Sequence, residues 1–153
     1  MIIENDKTII EGREVTFNSS YADVYDDLKD YIYSSVVPDT NGNGHITFKH
    51  QEFYGLKGTC TMYFQKGLLV KISIEPDWSM YSLSDENGNL PPIDVATLRI
   101  KKENEAILNS YFEVVEKSSY KKTTYRKDNI ILFTSLSSGG ELYSVAIQKA
   151  AIQ

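Results

Sequence analysis

Four aspartates, Asp23, Asp26, Asp27 and Asp30, recur at i, i+3, i+4 and i+7 in a stretch whose apolar residues also follow helical spacing. On a helix this spacing puts all four carboxylates on one face, opposite a stripe made by Tyr21, Val24, Tyr25, Leu28 and Ile32. Carboxylates held together in this way attract cations, and a basic protein surface is the partner class they fit. A solvated face is the commonest meaning of such a run. Yet four like-charge neighbour pairs at about 0.2 to 0.5 kcal/mol each oppose the helix by about 1 to 2 kcal/mol. Aspartate is also a mediocre helix former, although Asp23 gains from the helix N-terminus. A face built only for solubility would more readily mix Glu and Lys, so the pattern favours a basic partner.

Other constellations carry less. Asp39-Thr40-Asn41-Gly42-Asn43-Gly44-His45-Ile46 matches the first half of a calcium loop, with oxygen side chains at positions 1, 3 and 5, Gly at 6 and Ile at 8. Position 12, where a bidentate Glu closes the sphere, is His50, so an Asn-Gly turn is expected and no metal ligand is assigned. Cys60 with His45 or His50 would meet the minimum for a thiolate–imidazole pair. Its phase with Met62 and Phe64 in an alternating strand marks it instead as a small core residue. There is no Gly-x-Ser-x-Gly elbow, phosphate loop or His-Glu-x-x-His string, so no catalytic residue and no cofactor is assigned. Tyrosine is abundant at 11 residues, which suits contact surfaces, although Tyr63, Tyr120, Tyr125 and Tyr143 fit half-buried strands. Asp77, Trp78 and Tyr81 follow Glu75-Pro76 in an acidic loop and are candidate anchors for a partner or a sugar.

The elements that must position these residues belong to a chain of 153 residues, 41% hydrophobic and 24% charged, a size and composition that suit one globular domain. One cysteine excludes an internal disulfide, and with two histidines it falls short of a structural zinc site. The acidity is uneven: residues 1 to 100 carry 15 acids and 8 bases (-7), and residues 101 to 153 carry 6 acids and 8 bases (+2). Such a balance disfavours nucleic acid, and the one basic cluster, Lys117 to Lys127, is split across two faces by strand geometry. The opening Met1-Ile2-Ile3-Glu4-Asn5-Asp6-Lys7 lacks a basic signal region, and no apolar run approaches the roughly 20 residues of a membrane helix. A cytoplasmic protein without a membrane partner is the expectation.

Ile2-Ile3-Glu4, Thr8-Ile9-Ile10 and Val15-Thr16-Phe17 read as opening strands, beginning with a hairpin. Ser20 with Asp23 has the spacing of an N-cap, so a helix starts there and runs to about Val36-Val37-Pro38. Extended segments follow at residues 45 to 51, at Thr59 to Phe64, and at Val70, Ile72 and Ile74, the last two joined by the turn Lys66-Gly67. Residues 76 to 97 show no strong period. A second helix spans Leu98 to about Lys117, and strands follow at residues 120 to 126, 129 to 134 and 142 to 149. The fold class is α+β: an antiparallel sheet with two helices on one face, as two pseudo-repeats of helix plus three strands.

The segment Ile9-Ile10-Glu11-Gly12-Arg13-Glu14-Val15-Thr16-Phe17, followed by a capped helix ending in Leu28, resembles the start of small bacterial immunity-type proteins of polymorphic toxin systems, and the hairpin Gly58 to Glu75 fits the same likeness. The resemblance covers the first half and rests on element order and hydrophobic pattern. It implies a cytoplasmic neutraliser of a toxin enzyme and carries over no functional residue. A non-enzymatic domain covering a basic protein is the first expectation, and a carbohydrate or small-ligand module with a Tyr-lined cleft is the alternative.

Overall fold

A computed structural model describes residues 1–49, 51–119, 121–137, 139, 140 and 142–150. Three short strands, β1 (Ile2–Glu4), β2 (Lys7–Ile10) and β3 (Arg13–Val15), form a separate antiparallel sheet in the order β1-β2-β3. The turn between β1 and β2 holds Asn5 and Asp6 at φ 50° and 63°, a left-handed pair that Asn and Asp tolerate and a tight hairpin demands.

Helix α1 (Tyr21–Leu28) starts where the cap pattern places it: Ser20 Oγ accepts the Asp23 amide at 3.1 Å. It is shorter than its spacing suggests. Lys29–Tyr31 is one 3-10 turn, and Ile32 opens strand β4 (Ile32–Val36) rather than closing the apolar stripe of a helix. The run Ile32-Tyr33-Ser34-Ser35-Val36 is β-branched and aromatic enough to prefer a pleat once β5 (Gly44–Phe48) supplies a ladder, and tertiary pairing overrides the helical period.

The hairpin after it follows the alternation in the sequence. β6 (Gln51–Phe53) pairs with the start of β7 (Leu56–Gln65), and β7 pairs with β8 (Leu68–Pro76) along its length. Cys60, Met62 and Phe64 point inward against Ile72 and Ile74. A bulge between Tyr63 and Phe64 sets Phe64 opposite Leu69, so Leu69 is the core residue and Val70, expected inside, is only half-buried.

Pro92, with φ -52°, caps helix α2 (Ile93–Tyr111), which therefore begins and ends earlier than its expected span of 98 to 117. A proline next to the first turn loses nothing, because the amides there are free anyway. Its buried residues are Ala96, Thr97, Ile100, Asn104 and Leu108, at helical spacings of three and four. Val114 and Val115 belong to strand β9 (Glu113–Ser119), followed by β10 (Lys122–Lys127), β11 (Ile130–Leu136) and β12 (Tyr143–Lys149). Among the described residues five strands thus follow α1 and four follow α2, two and one more than the three the sequence indicates after each helix. The two meanders join through β8 and β12 into a nine-stranded sheet of order β4-β5-β7-β8-β12-β11-β10-β9, with β6 alongside β7.

Both helices and the N-terminal sheet close one continuous core over a single face of the large sheet. Tyr54 pins the small sheet: its hydroxyl donates to the Ile3 carbonyl and accepts the Ile3 amide, each at 3.0 Å. The other face of the large sheet is half-exposed and mixes threonines with aromatic and basic side chains, the Thr47 and Thr61 hydroxyls 3.1 Å apart and Lys71 Nζ 4.5 Å from the centre of the Tyr63 ring.

Candidate functional site

Val24 and Leu28 are the buried residues of α1, so the helix phase sends Asp23, Asp26 and Asp27 outward, and all three are exposed. Asp30 lies on the following 3-10 turn, exposed as well, so the i+7 alignment of a longer helix is replaced by a continuation around one turn. Among the described residues no cation lies within ion-pair distance of any of the four carboxylates. Lys49 comes near, but its Nζ donates to the Asp30 backbone carbonyl at 3.3 Å. Asp26 and Asp27 occupy the last turn of α1, beside the negative end of the helix; that turn holds no basic residue, and exposed Lys29 follows it at the C-cap. Tyr25 and Tyr31, each 39% exposed, flank the carboxylates.

Asp77, Trp78 and Tyr81 lie elsewhere. The Tyr21 amide opens α1 against the Gly67 carbonyl at the β7–β8 turn, whereas Asp77 follows the far end of β8, about 30 Å away along an extended strand. Asp77 Oδ1 accepts the Ser79 amide and hydroxyl at 3.0 and 2.7 Å and caps a 3-10 turn, Trp78–Met80. Trp78 and Tyr81 pack partly against the core. The Tyr81 hydroxyl donates to Asn104 Oδ1 at 2.9 Å, tying the loop to α2. Asp23 and Asp77 therefore do not share a patch, and the loop residues brace the fold as they leave it.

The half-motif at Asp39 is a closed turn. Asp39 Oδ1 accepts the amides of Asn41 and Asn43 at 2.9 and 3.0 Å, and Gly42 donates back to the Asp39 carbonyl at 2.9 Å. Gly42, at φ 75°, also accepts from the Gly67 amide, and a Cβ there would sit 2.5 Å from that nitrogen. Asp85-Glu86-Asn87-Gly88-Asn89 repeats the pattern, with Asp85 Oδ1 accepting the Asn87 and Asn89 amides at 2.9 Å each. The recurring string Asp-x-Asn-Gly-Asn was the available signal that residues 39 to 43 are a structural turn. His50, the twelfth position, and Tyr120 lie outside the described residues.

Cys60 is fully buried, and burial pushes its thiol up to about 12, only slightly offset by the charge of the N-terminal amine. His45 pairs with Tyr63 in the ladder and contacts its ring on the opposite face of the sheet, so it cannot reach the thiol. The basic cluster is divided as expected: Lys122 Nζ lies 4.8 Å from the centre of the Phe133 ring on the outer face, whereas Lys127 Nζ donates to the Tyr54 hydroxyl.

A part-buried polar cluster lies along α2, and its links to Tyr81 and Thr134 have no local signature in the sequence. Lys101 Nζ and Glu105 Oε2 meet at 2.7 Å, and Thr134 donates to Glu105 Oε1 at 3.0 Å. Burial, and then the Glu105 charge, raise the phenol of Tyr125 to about 12 and shift that of Tyr143 in the same direction. Asn104 Nδ2 has no hydrogen-bond partner among the described residues. These protonated phenols cannot serve as bases at neutral pH. A surface depression of about 330 Å³ is lined by Tyr63, Gln65, Val70, Lys71 and Gln148. Another of about 250 Å³ is bounded by Val36, His45, Tyr63 and Gln65, and one of about 230 Å³ by Pro76, Trp78 and Leu142. No protein-family model, curated protein or solved structure matches the chain.

Proposed function

We propose that this chain is a non-enzymatic protein-binding domain that covers a basic surface of its partner with the acidic face of α1. The single observation that carries the reading is the exposure of Asp23, Asp26, Asp27 and Asp30 with no cation paired to them among the described residues. Carboxylates kept unpaired beside each other, two of them at the negative end of a short helix, oppose folding and gain a purpose only from an outside cation. Exposed Tyr25, Tyr31 and Tyr33 add apolar area at the rim of the same segment. A toxin-neutralising immunity protein is the specific form this reading takes, on the likeness of residues 9 to 28 and 58 to 75 to such proteins. The carbohydrate alternative has less support, since Tyr125 and Tyr143 are 1% and 6% exposed and line the core instead of a cleft.

Co-expression of the tagged chain with the product of the adjacent reading frame tests the proposal. The parent is expected to retain that product, and the variant with Asp26, Asp27 and Asp30 changed to Asn is expected to lose on-rate, with a flatter dependence on salt. A partner held equally by both chains would remove the aspartate face from the interface.

A further inference from the structure

We propose that the free edge of β4 accepts an extended, lysine- or arginine-flanked segment of a protein partner as an added strand of the large sheet. The inference rests on the proposed acidic-face reading and specifies how the partner docks. The large sheet ends in β4 on one side and β9 on the other, and each edge presents backbone amides and carbonyls that another chain can pair with.

The two edges are built differently. β9 carries Glu113, Glu116 and Lys117, charges that discourage pairing by another strand, and shifts register twice against β10 where β4 shifts once against β5. Ile32 to Val37 contains no charged residue, and it exposes Tyr33 by 76%, Val36 by 51% and Val37 by 72%. Among the described residues β4 pairs only with β5, and no other backbone hydrogen bond from residues 33–36 reaches the outer side of the strand. A short edge without charge, left open beside exposed Tyr33, Val36 and Val37, offers a pairing strand free backbone groups and apolar contact.

Charge selects the occupant. Residues 21 to 43 contain Asp23, Asp26, Asp27, Asp30 and Asp39 against Lys29 alone, five acids and one base, net -4. A second copy paired edge to edge would bring the same excess against itself. A strand flanked by Lys or Arg instead meets carboxylates before and after β4.

Hydrogen–deuterium exchange of the full chain tests the proposal with three synthetic probes: a short strand peptide of alternating lysine and valine, its glutamate counterpart, and the lysine peptide N-methylated along one edge. The lysine peptide is expected to slow exchange of the 32–36 amides by about tenfold or more, with the other two inactive and 113–119 unchanged. The variant Tyr33→Pro is expected to abolish this protection. Ile32, at φ -81° and ψ 128°, already has the backbone a following proline requires, and an unchanged circular dichroism spectrum and Tm are the check that the variant folds. The N-methylated peptide asks the same question of the unaltered protein, so the outcome does not depend on the variant folding. Equal effects of all three peptides, or protection of β4 that grows with protein concentration and no peptide, would overturn the proposal. Protection of α1 without β4 would overturn the added strand while leaving the acidic face intact. No effect of the lysine peptide anywhere, with a partner insensitive to the aspartate variant, would remove both readings.

Discussion

Changing Asp26 and Asp27 together to Asn separates a face kept for a partner from one kept for the fold. On α1 itself Asp23 stands i, i+3 from Asp26 and i, i+4 from Asp27, and each repulsion is worth about 0.2 to 0.5 kcal/mol. Both residues also oppose the negative end of the helix, at about 0.3 kcal/mol each for exposed groups. Asn and Asp have similar helix propensities, so that contribution cancels. The sum is about 1 kcal/mol of relief, a rise in Tm of about 2 to 4 °C for a chain of this size. Differential scanning calorimetry at low and high salt reads it, and the rise should shrink as salt screens the exposed charges. A fall in Tm, at either salt, would show that the two carboxylates stabilise the folded state through a partner within it, and the argument from uncompensated repulsion would fail.

Leu28→Ala and Ile72→Ala, both at 0% exposure, should each destabilise by about 2 to 5 kcal/mol, whereas exposed Lys29→Ala should be nearly neutral; equal shifts in denaturant midpoint would break the assigned helix phase. Titration calorimetry with calcium should show no saturable heat, because the Asp39 oxygen is already shared by two amides; a saturable heat lost in Asp39→Ala would make the turn a metal site. Stability should fall on the alkaline side. The Cys60 thiol, raised from 9.0 to about 12 by burial, keeps its proton when folded while the unfolded chain loses it, so this contribution is present below about pH 9 and drains away towards pH 12. Cys60→Ala should flatten that decline in a pH series of chemical denaturation, and an unchanged slope would show that the thiol is not coupled to folding.

Local chemistry made several elements legible from the chain alone. Ser20 with Asp23 announced the start of α1, and the alternation of Cys60, Met62 and Phe64 around Lys66-Gly67 announced the central hairpin, because a cap and a two-residue turn are closed by neighbours in sequence. The outward phase of the aspartates followed from Val24 and Leu28 for the same reason. The ends of the helices did not follow. Ile32 to Val36 and Glu113 to Ser119 continue an apolar period that a helix or a strand can satisfy, and only pairing with β5 and β10, the strands that follow them, turns them into edge strands. The bulge that buries Leu69 in place of Val70 depends on the same cross-strand pairing. Tyr81, Asn104, Glu105 and Thr134 meet under α2 only after the second meander has folded back, so no spacing along the chain reveals their cluster. The sequence by itself determined where charge lies and where turns close. Tertiary structure decided which edges stay open, because strand pairing joins segments far apart along the chain, and the unpaired edge beside the aspartates is its outcome.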